Sequence, residues 1–383
     1  MSSTTPARPR VVAPRAAAGF LVAAAAVAAV MAPGASAAPK AAPRLPGHVA
    51  VIVIENHSYD DAYVNNPNPY LKSVLPAKGT LLTQYYGVGH LSLDNYLAMV
   101  SGQEPSPSTQ ADCPRYVDAQ GALDPNGQFR GVGCVYPASV KTIADQLDAK
   151  RVSWHGYMED MGLDPAREQV RCGQPGNPSG TGAADNTQSA SAKDQYAARH
   201  NPFVYFHSLI DSGSCTVNVY PLTQLAKDLR SANTTPRFSF ITPDLCSDGH
   251  DEPCADGRPG GLKSIDDFLK VWVPKLLASP AFAKDGLVII TADEAENNDA
   301  TSCCGTRTGA VNRLAGITGP GGGRIGTLLL GPCVKPAAKS ATPLDHYSLL
   351  RSLEDIFGVG HLGLAAAPEV KTFVAEATAR CSR

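Results

Sequence analysis

Two unbroken apolar runs dominate the hydrophobic pattern of this chain, and each ends abruptly in oxygen-bearing residues. The first is Val49-Ala-Val-Ile-Val-Ile54, followed by Glu55 and Asn56. The second is Gly286-Leu-Val-Ile-Ile-Thr-Ala292, followed by Asp293 and Glu294. Neither alternates polar and apolar positions, so both predict strands covered on both faces, as in a parallel sheet. Such sheets bind ligands beyond the carboxyl ends of their strands, where these four polar residues fall.

The remaining pattern fills in around them. Further strands are expected at Thr80–Tyr86, Val152–Met158, Phe203–Phe206, Phe238–Thr242 and Arg324–Leu330. Leu93–Ser101 has helical spacing, with Ser92 as its N-cap and Gly102 at its C-terminus. A second helix is expected over Val140–Leu147. A third is expected to be capped by Ser264, with Asp266 and Asp267 in a first turn that suits negative charge, and kinked at Pro274. Asp345 opens a last helix whose inner face is Leu349, Leu350, Leu353 and Ile356, closed by Gly358. Strands alternating with helices indicate an α/β fold with a largely parallel sheet. Residues 103–136 read as a polar surface insertion, and 160–200 as a long loop or lid.

Composition narrows the setting. The 383 residues leave room for one large α/β domain with insertions. The formal net charge is -2 and no basic stripe stands out, which speaks against a nucleic-acid partner. Residues 1–38 read as a signal peptide: Arg8, Arg10 and Arg15, then the Ala/Val-rich run Ala16–Ala32, then Ala35-Ser-Ala37 for cleavage near Ala37-Ala38. That run falls short of the roughly 20 residues a membrane span needs. The expectation is a secreted, extracellular protein without stable membrane insertion after signal removal, its residues 39–383 forming a single domain. Ten cysteines in such a chain imply disulfides. Cys113–Cys134 and Cys246–Cys254 are the expected local bridges, and Cys172–Cys215 and Cys333–Cys381 would close longer loops. Cys303 and Cys304 are adjacent, and either join each other or pair elsewhere.

The chemistry collects at few positions. Ser92 follows Gly87-Val-Gly-His-Leu and starts a helix, whose N-terminus suits phosphate. Beside a divalent cation its hydroxyl can become a nucleophile. It is not set in a G-x-S-x-G elbow, so a hydrolase triad is not expected. Glu55, Asn56, Asp293 and Glu294 make a hard, oxygen-rich ligand set for Ca²⁺, Mg²⁺ or Mn²⁺ at least as well as Zn²⁺. Glu296 and Asp299 read as solvated loop carboxylates. His250, in Asp244-Leu-Cys-Ser-Asp248-Gly-His-Asp251, can protonate a leaving oxygen or bind a second metal with Asp248. His200, in Arg199-His-Asn-Pro202, is a second candidate for the phosphate or the leaving group. His57, His90 and His346 carry less weight, and His346 is expected to contact local backbone.

Taken together, the segments around Glu55, His90-Leu-Ser92, Arg199-His200, Thr242–Asp251, Thr291–Glu294 and His346–Glu354 resemble the phosphoesterase family of the alkaline-phosphatase superfamily. That family holds bacterial phospholipases C and secreted acid phosphatases. The resemblance implies an alkaline-phosphatase-like three-layer α/β/α sandwich. It implies one metal held by Glu55, Asn56, Ser92, Asp293 and Glu294, with Ser92 as nucleophile and His200 and His250 facing the phosphoryl group. His57 stands where the family often has Arg, and the chain stops without the C-terminal domains of larger phospholipases C. A phosphomonoesterase acting through a phosphoserine is therefore the expectation. A phospholipase C-type diesterase and a non-catalytic metal- or phosphate-binding protein are the alternatives. The substrate would be a phosphorylated small molecule or a phospholipid.

Overall fold

The computed structural model describes residues 44–176, 182–296, 299–304 and 320–381. The leader expected at 1–38 lies outside the described residues, as does part of the glycine-rich stretch 295–323. The first apolar run becomes strand β1 (His48–Ile54), the centre of an eight-stranded sheet. The others are β2 (Thr80–Leu82), β3 (Trp154–Met158), β4 (Val219–Pro221), β5 (Phe238–Thr242), β6 (Gly286–Ala292), β7 (Thr327–Leu330) and β8 (Ala338–Ser340). Their order across the sheet is β8-β2-β7-β6-β1-β5-β3-β4. β1 lies parallel between β5 and β6, with Ile52 opposite both Ile241 and Ile290. Seven strands point the same way, and β7 runs against β6 and β2.

The main helices are α1 (Ser92–Ser101), α2 (Ile143–Lys150), α3 (Gly261–Ala278), α4 (Pro280–Asp285) and α5 (His346–Phe357). Between β2 and β3 the chain crosses the sheet in one direction through α1 and α2, and between β5 and β6 it crosses back through α3 and α4. Right-handed crossovers of opposite direction put their helices on opposite faces. The result is a three-layer α/β/α sandwich, with β1 and β6 buried along their length.

Several elements depart from the pattern reading. Thr80–Tyr86 is not one strand: Tyr85–Tyr86 leaves the main sheet and pairs with Leu344–Asp345. Phe203–Phe206 is not a strand either. Pro202 starts a 3₁₀ turn, Pro202–Tyr205, and the Asn201 side chain accepts the Phe203 N–H. An apolar run is buried in either conformation, and the Asn-Pro pair decides for the turn. α3 begins a turn earlier than expected, capped by Gly260, so Ser264 is not its N-cap. Asp266 instead accepts the backbone N–H groups of Tyr70 and Leu71, at 3.2 and 2.8 Å. α5 follows expectation: Asp345 accepts the Ser348 N–H at 3.0 Å, and Gly358 closes the helix at φ 64°.

Segments 103–136 and 160–200 are tied together by Arg115–Tyr116 pairing with Ala183–Ala184. Disulfides join Cys113–Cys134, Cys172–Cys215, Cys246–Cys254, Cys303–Cys304 and Cys333–Cys381. Among the described residues no helix is long and apolar enough to cross a membrane.

Candidate active site

The carboxyl ends of β1, β5 and β6 are laced together by backbone. The Glu55 N–H donates to the Asp248 carbonyl at 2.9 Å, and the Asp293 N–H to the Ile54 carbonyl at 3.0 Å. Asn56 turns the chain at φ 48°, a left-handed conformation that Asn tolerates better than most residues. Its N–H donates to Asp293 Oδ1 at 3.0 Å.

Ser92 is the first residue of α1 rather than its N-cap. Leu91 holds the cap position at φ 71°, and its N–H donates to both oxygens of Glu294, at 3.0 and 3.1 Å. A positive φ costs a leucine on the order of 1–2 kcal/mol, so the turn depends on that carboxylate. It leaves the Ser92 hydroxyl free of capping. Ser92 Oγ donates instead to Glu55 Oε2 at 2.8 Å.

Glu55 is fully buried. Its Oε1 accepts from the Tyr96 hydroxyl at 2.5 Å, and the Tyr96 ring stacks on His200 with centroids 5.2 Å apart. His200 Nδ1 lies 3.1 Å from Asp248 Oδ2. Its Nε2 lies 3.4 Å from Glu55 Oε2 without a hydrogen-bond geometry. One ligand-capable atom from each of Glu55, His200 and Asp248 fits within a 4.8 Å mutual separation. Asp293 is fully buried and its Oδ2 receives no hydrogen bond, its carboxylate lying beside that of Glu55.

Electrostatics points the same way. Burial pushes the proton affinities of Glu55, Asp248 and Asp293 upward, and the Asp293 charge raises Glu55 and Asp248 further. Burial pushes His200 well below its ordinary value, so its ring is neutral and free to ligate. Buried carboxylates packed this closely are costly to ionise without a cation among them. The orphaned Asp293 oxygen and the mixed oxygen and imidazole donors therefore fit a divalent metal.

Of the residues expected here, Glu55, Ser92, Asp293 and the backbone of Asn56 come together. Glu294 borders the same cavity, its oxygens shared between Leu91 and the buried His90 ring. His346 makes its ring hydrogen bonds away from its local backbone. Its Nε2 reaches the Asp293 carbonyl at 2.5 Å, and burial lowers it to about 4, so it is a neutral donor.

A cavity of about 500 Å³ opens at this site, lined by Asn56, Ser92, Asp112, His250, Glu294 and Glu296 among others. His250 Nε2 lies 3.1 Å from an Arg199 terminal nitrogen and Nδ1 lies 2.8 Å from Asp251 Oδ1. A guanidinium has no lone pair to offer, so Nε2 accepts and the ring proton sits on Nδ1, donated to Asp251.

Three participants carried no weight in the sequence reading. Tyr96 lies four residues after Ser92, the spacing that puts two side chains on one helix face, and could have been found that way. Arg199 adjoins His200. Asp112 lies in the polar insertion and gives no periodic signal, yet its Oδ1 accepts the Leu93 N–H of α1 at 3.0 Å.

Fold and site together define an α/β/α protein that gathers a serine hydroxyl, buried carboxylates and histidines at the carboxyl ends of its central strands. The chain belongs to the Phosphoesterase family, which it matches over residues 62–360. It is similar to the phosphate-repressible acid phosphatase of Penicillium chrysogenum, at 26% identity over 315 residues, covering 82% of this chain and 59% of the relative. It is also similar to the phosphatidylinositol-3-phosphatase of Mycobacterium tuberculosis, at 25% identity, covering 84% and 81% of the two chains. Thus the chain spans 54–59% of the length of the fungal acid phosphatases it matches. Among solved structures, a Vibrio parahaemolyticus protein in the alkaline phosphatase superfamily matches with a TM-score of 0.48 and 13% identity, over 84% of this chain and 68% of the other.

Proposed function

We propose that this protein is a secreted, metal-dependent phosphatase that hydrolyses phosphate monoesters through a phosphoserine at Ser92. The observation that carries the reading is the Ser92 hydroxyl, held 2.8 Å from a buried carboxylate at the edge of a cavity. The acid phosphatase names of the fungal relatives support the reaction class. The mycobacterial relative's name supports a monoester on a lipid headgroup as one member of the substrate class.

In this reading Ser92 Oγ attacks phosphorus, its proton passes to Glu55 Oε2, and the bond to the leaving oxygen breaks. Protonated His250 gives that oxygen its proton. Water then attacks the phosphoserine, giving one proton to His250 and keeping the other on the released phosphate, while Glu55 returns to Ser92 the proton it took. Glu55, Asp293, Asp248 and His200, beside Asn56 and Ser92, would hold a divalent cation. Such a cation would bring positive charge to the phosphoryl oxygens and ease ionisation of the hydroxyl. The Asp248 contact and the Tyr96 stack fix the orientation of His200.

Activity on p-nitrophenyl phosphate against a phosphorylcholine diester tests the reading. Faster turnover of the monoester, with acid-stable phosphate on Ser92 after quenching, is the expected result. Preference for the diester, or no turnover of either with Mg²⁺, Mn²⁺, Ca²⁺ or Zn²⁺ present, overturns it.

A further inference from the structure

A phosphate monoester carries up to two negative charges, yet the side chains named above around this cavity include three carboxylates, Asp112, Glu294 and Glu296, and no lysine or arginine. A nearby protein cation is Arg199, just behind that wall. Its side chain is 4% exposed, and its partners are unusual for a buried guanidinium. One terminal nitrogen donates to the Gln188 carbonyl at 3.0 Å, and the other to His250 Nε2 at 3.1 Å. The nearest carboxylate is Asp112, at 3.7 Å from Nε, and Asp112 is shared with the Leu93 N–H.

Arg167 shows what a purely structural guanidinium looks like in the same chain. It pairs with Asp194 Oδ1 at 2.9 Å and donates to the carbonyls of Asp194, Ser189 and Asn186. Arg199 lacks that close carboxylate. Its charge is only partly matched, and two of its neighbours, Asp112 and His250, line the cavity itself.

We propose that Arg199 is the phosphoryl-recognising cation of this site, which rests on the phosphatase reading above. The guanidinium leaves His250 Nε2 for the phosphoryl oxygens when substrate arrives. The planar fork of Arg suits two oxygens of one phosphate. The same movement frees His250 Nε2 of its Arg199 partner at the edge of the cavity. Asp112 and Gln188 keep the guanidinium at the wall in the absence of substrate.

The test measures inorganic phosphate binding to the metal-loaded wild type, R199Q and R199K by isothermal titration calorimetry, beside inhibition of monoester turnover. Melting temperature and metal content are recorded for each protein. Loss of a charged hydrogen-bond donor weakens binding about 10- to 100-fold. R199Q should show that loss with metal content unchanged, and R199K should recover part of it. Phosphate affinity within threefold of wild type in both folded variants overturns the assignment while leaving the phosphatase reading intact. A wild type that neither binds phosphate nor hydrolyses monoesters overturns both.

Discussion

Ser92 and Glu55 stand 37 positions apart in the chain and share a 2.8 Å hydrogen bond. The contact exists because β1 ends at Ile54 and α1 starts with its hydroxyl turned off its own helix. A serine so placed is expected to be the attacking group. S92A should therefore lose about 10³-fold or more in kcat, as when other covalent nucleophiles are removed. Mass spectrometry of acid-quenched enzyme should find phosphate on wild type and none on S92A. Wild-type turnover by folded S92A would leave the hydroxyl without a catalytic role.

Asp293 Oδ2 is buried and receives no hydrogen bond, next to the protonation-prone Glu55 and Asp248. A divalent cation bound there should stabilise the fold by about 2.7 kcal/mol at a concentration 100 times its Kd. Chelation should lower the melting temperature by several degrees and abolish turnover, and adding back the cation should restore both. D293N should blunt that melting shift, because the orphaned oxygen is the ligand it removes. Equal chelator sensitivity in D293N and wild type would place the cation elsewhere.

The central architecture was legible because buried parallel strands cannot hide their composition. Val49–Ile54 and Gly286–Ala292 lack alternation, and their ends name Glu55 and Asp293 directly. Asp112 was not legible, since a carboxylate in an irregular insertion has no period, and only folding brings it to the N–H of Leu93. The same limit explains Leu91. Its positive φ depends on Glu294, which lies 203 positions along the chain. Phe203–Phe206 failed for a local reason: hydrophobicity says buried, and Asn201-Pro202 chooses the turn.

Tyr96 joins two parts of the site, donating to Glu55 Oε1 and stacking on the His200 ring. Y96F keeps the stack and removes the donor. A hydrogen bond to a charged partner contributes about 1.5–3 kcal/mol. Y96F should then lower kcat/KM on the order of 10-fold or more, with the cation bound less tightly and KM for monoester little changed. Y96A should do worse, because His200 loses its packing as well. Identical kinetics in Y96F and wild type would reduce the hydroxyl to a bystander.

Glu354 offers a pH test away from the catalytic groups. It lies on α5 and is fully buried, with Oε1 accepting the Leu362 N–H at 2.8 Å and Oε2 lacking a partner. Burial, helped by the charge of Asp355, raises it to about 8 against the opposing Leu362 N–H and Arg351. An acid raised on folding binds its proton more tightly in the native state than in the unfolded chain. The stability it contributes is complete below the unfolded value near 4.5 and is lost as pH climbs through about 8. Each pH unit across that window removes up to about 1.4 kcal/mol for one proton. Wild type should melt progressively lower between pH 5 and about 8. E354Q keeps the shape and cannot ionise, so its melting temperature should fall less steeply over the same range, and the gap should close toward acid. Parallel melting curves for the two proteins would mean that Glu354 is already ionised in the fold, its second oxygen satisfied by water.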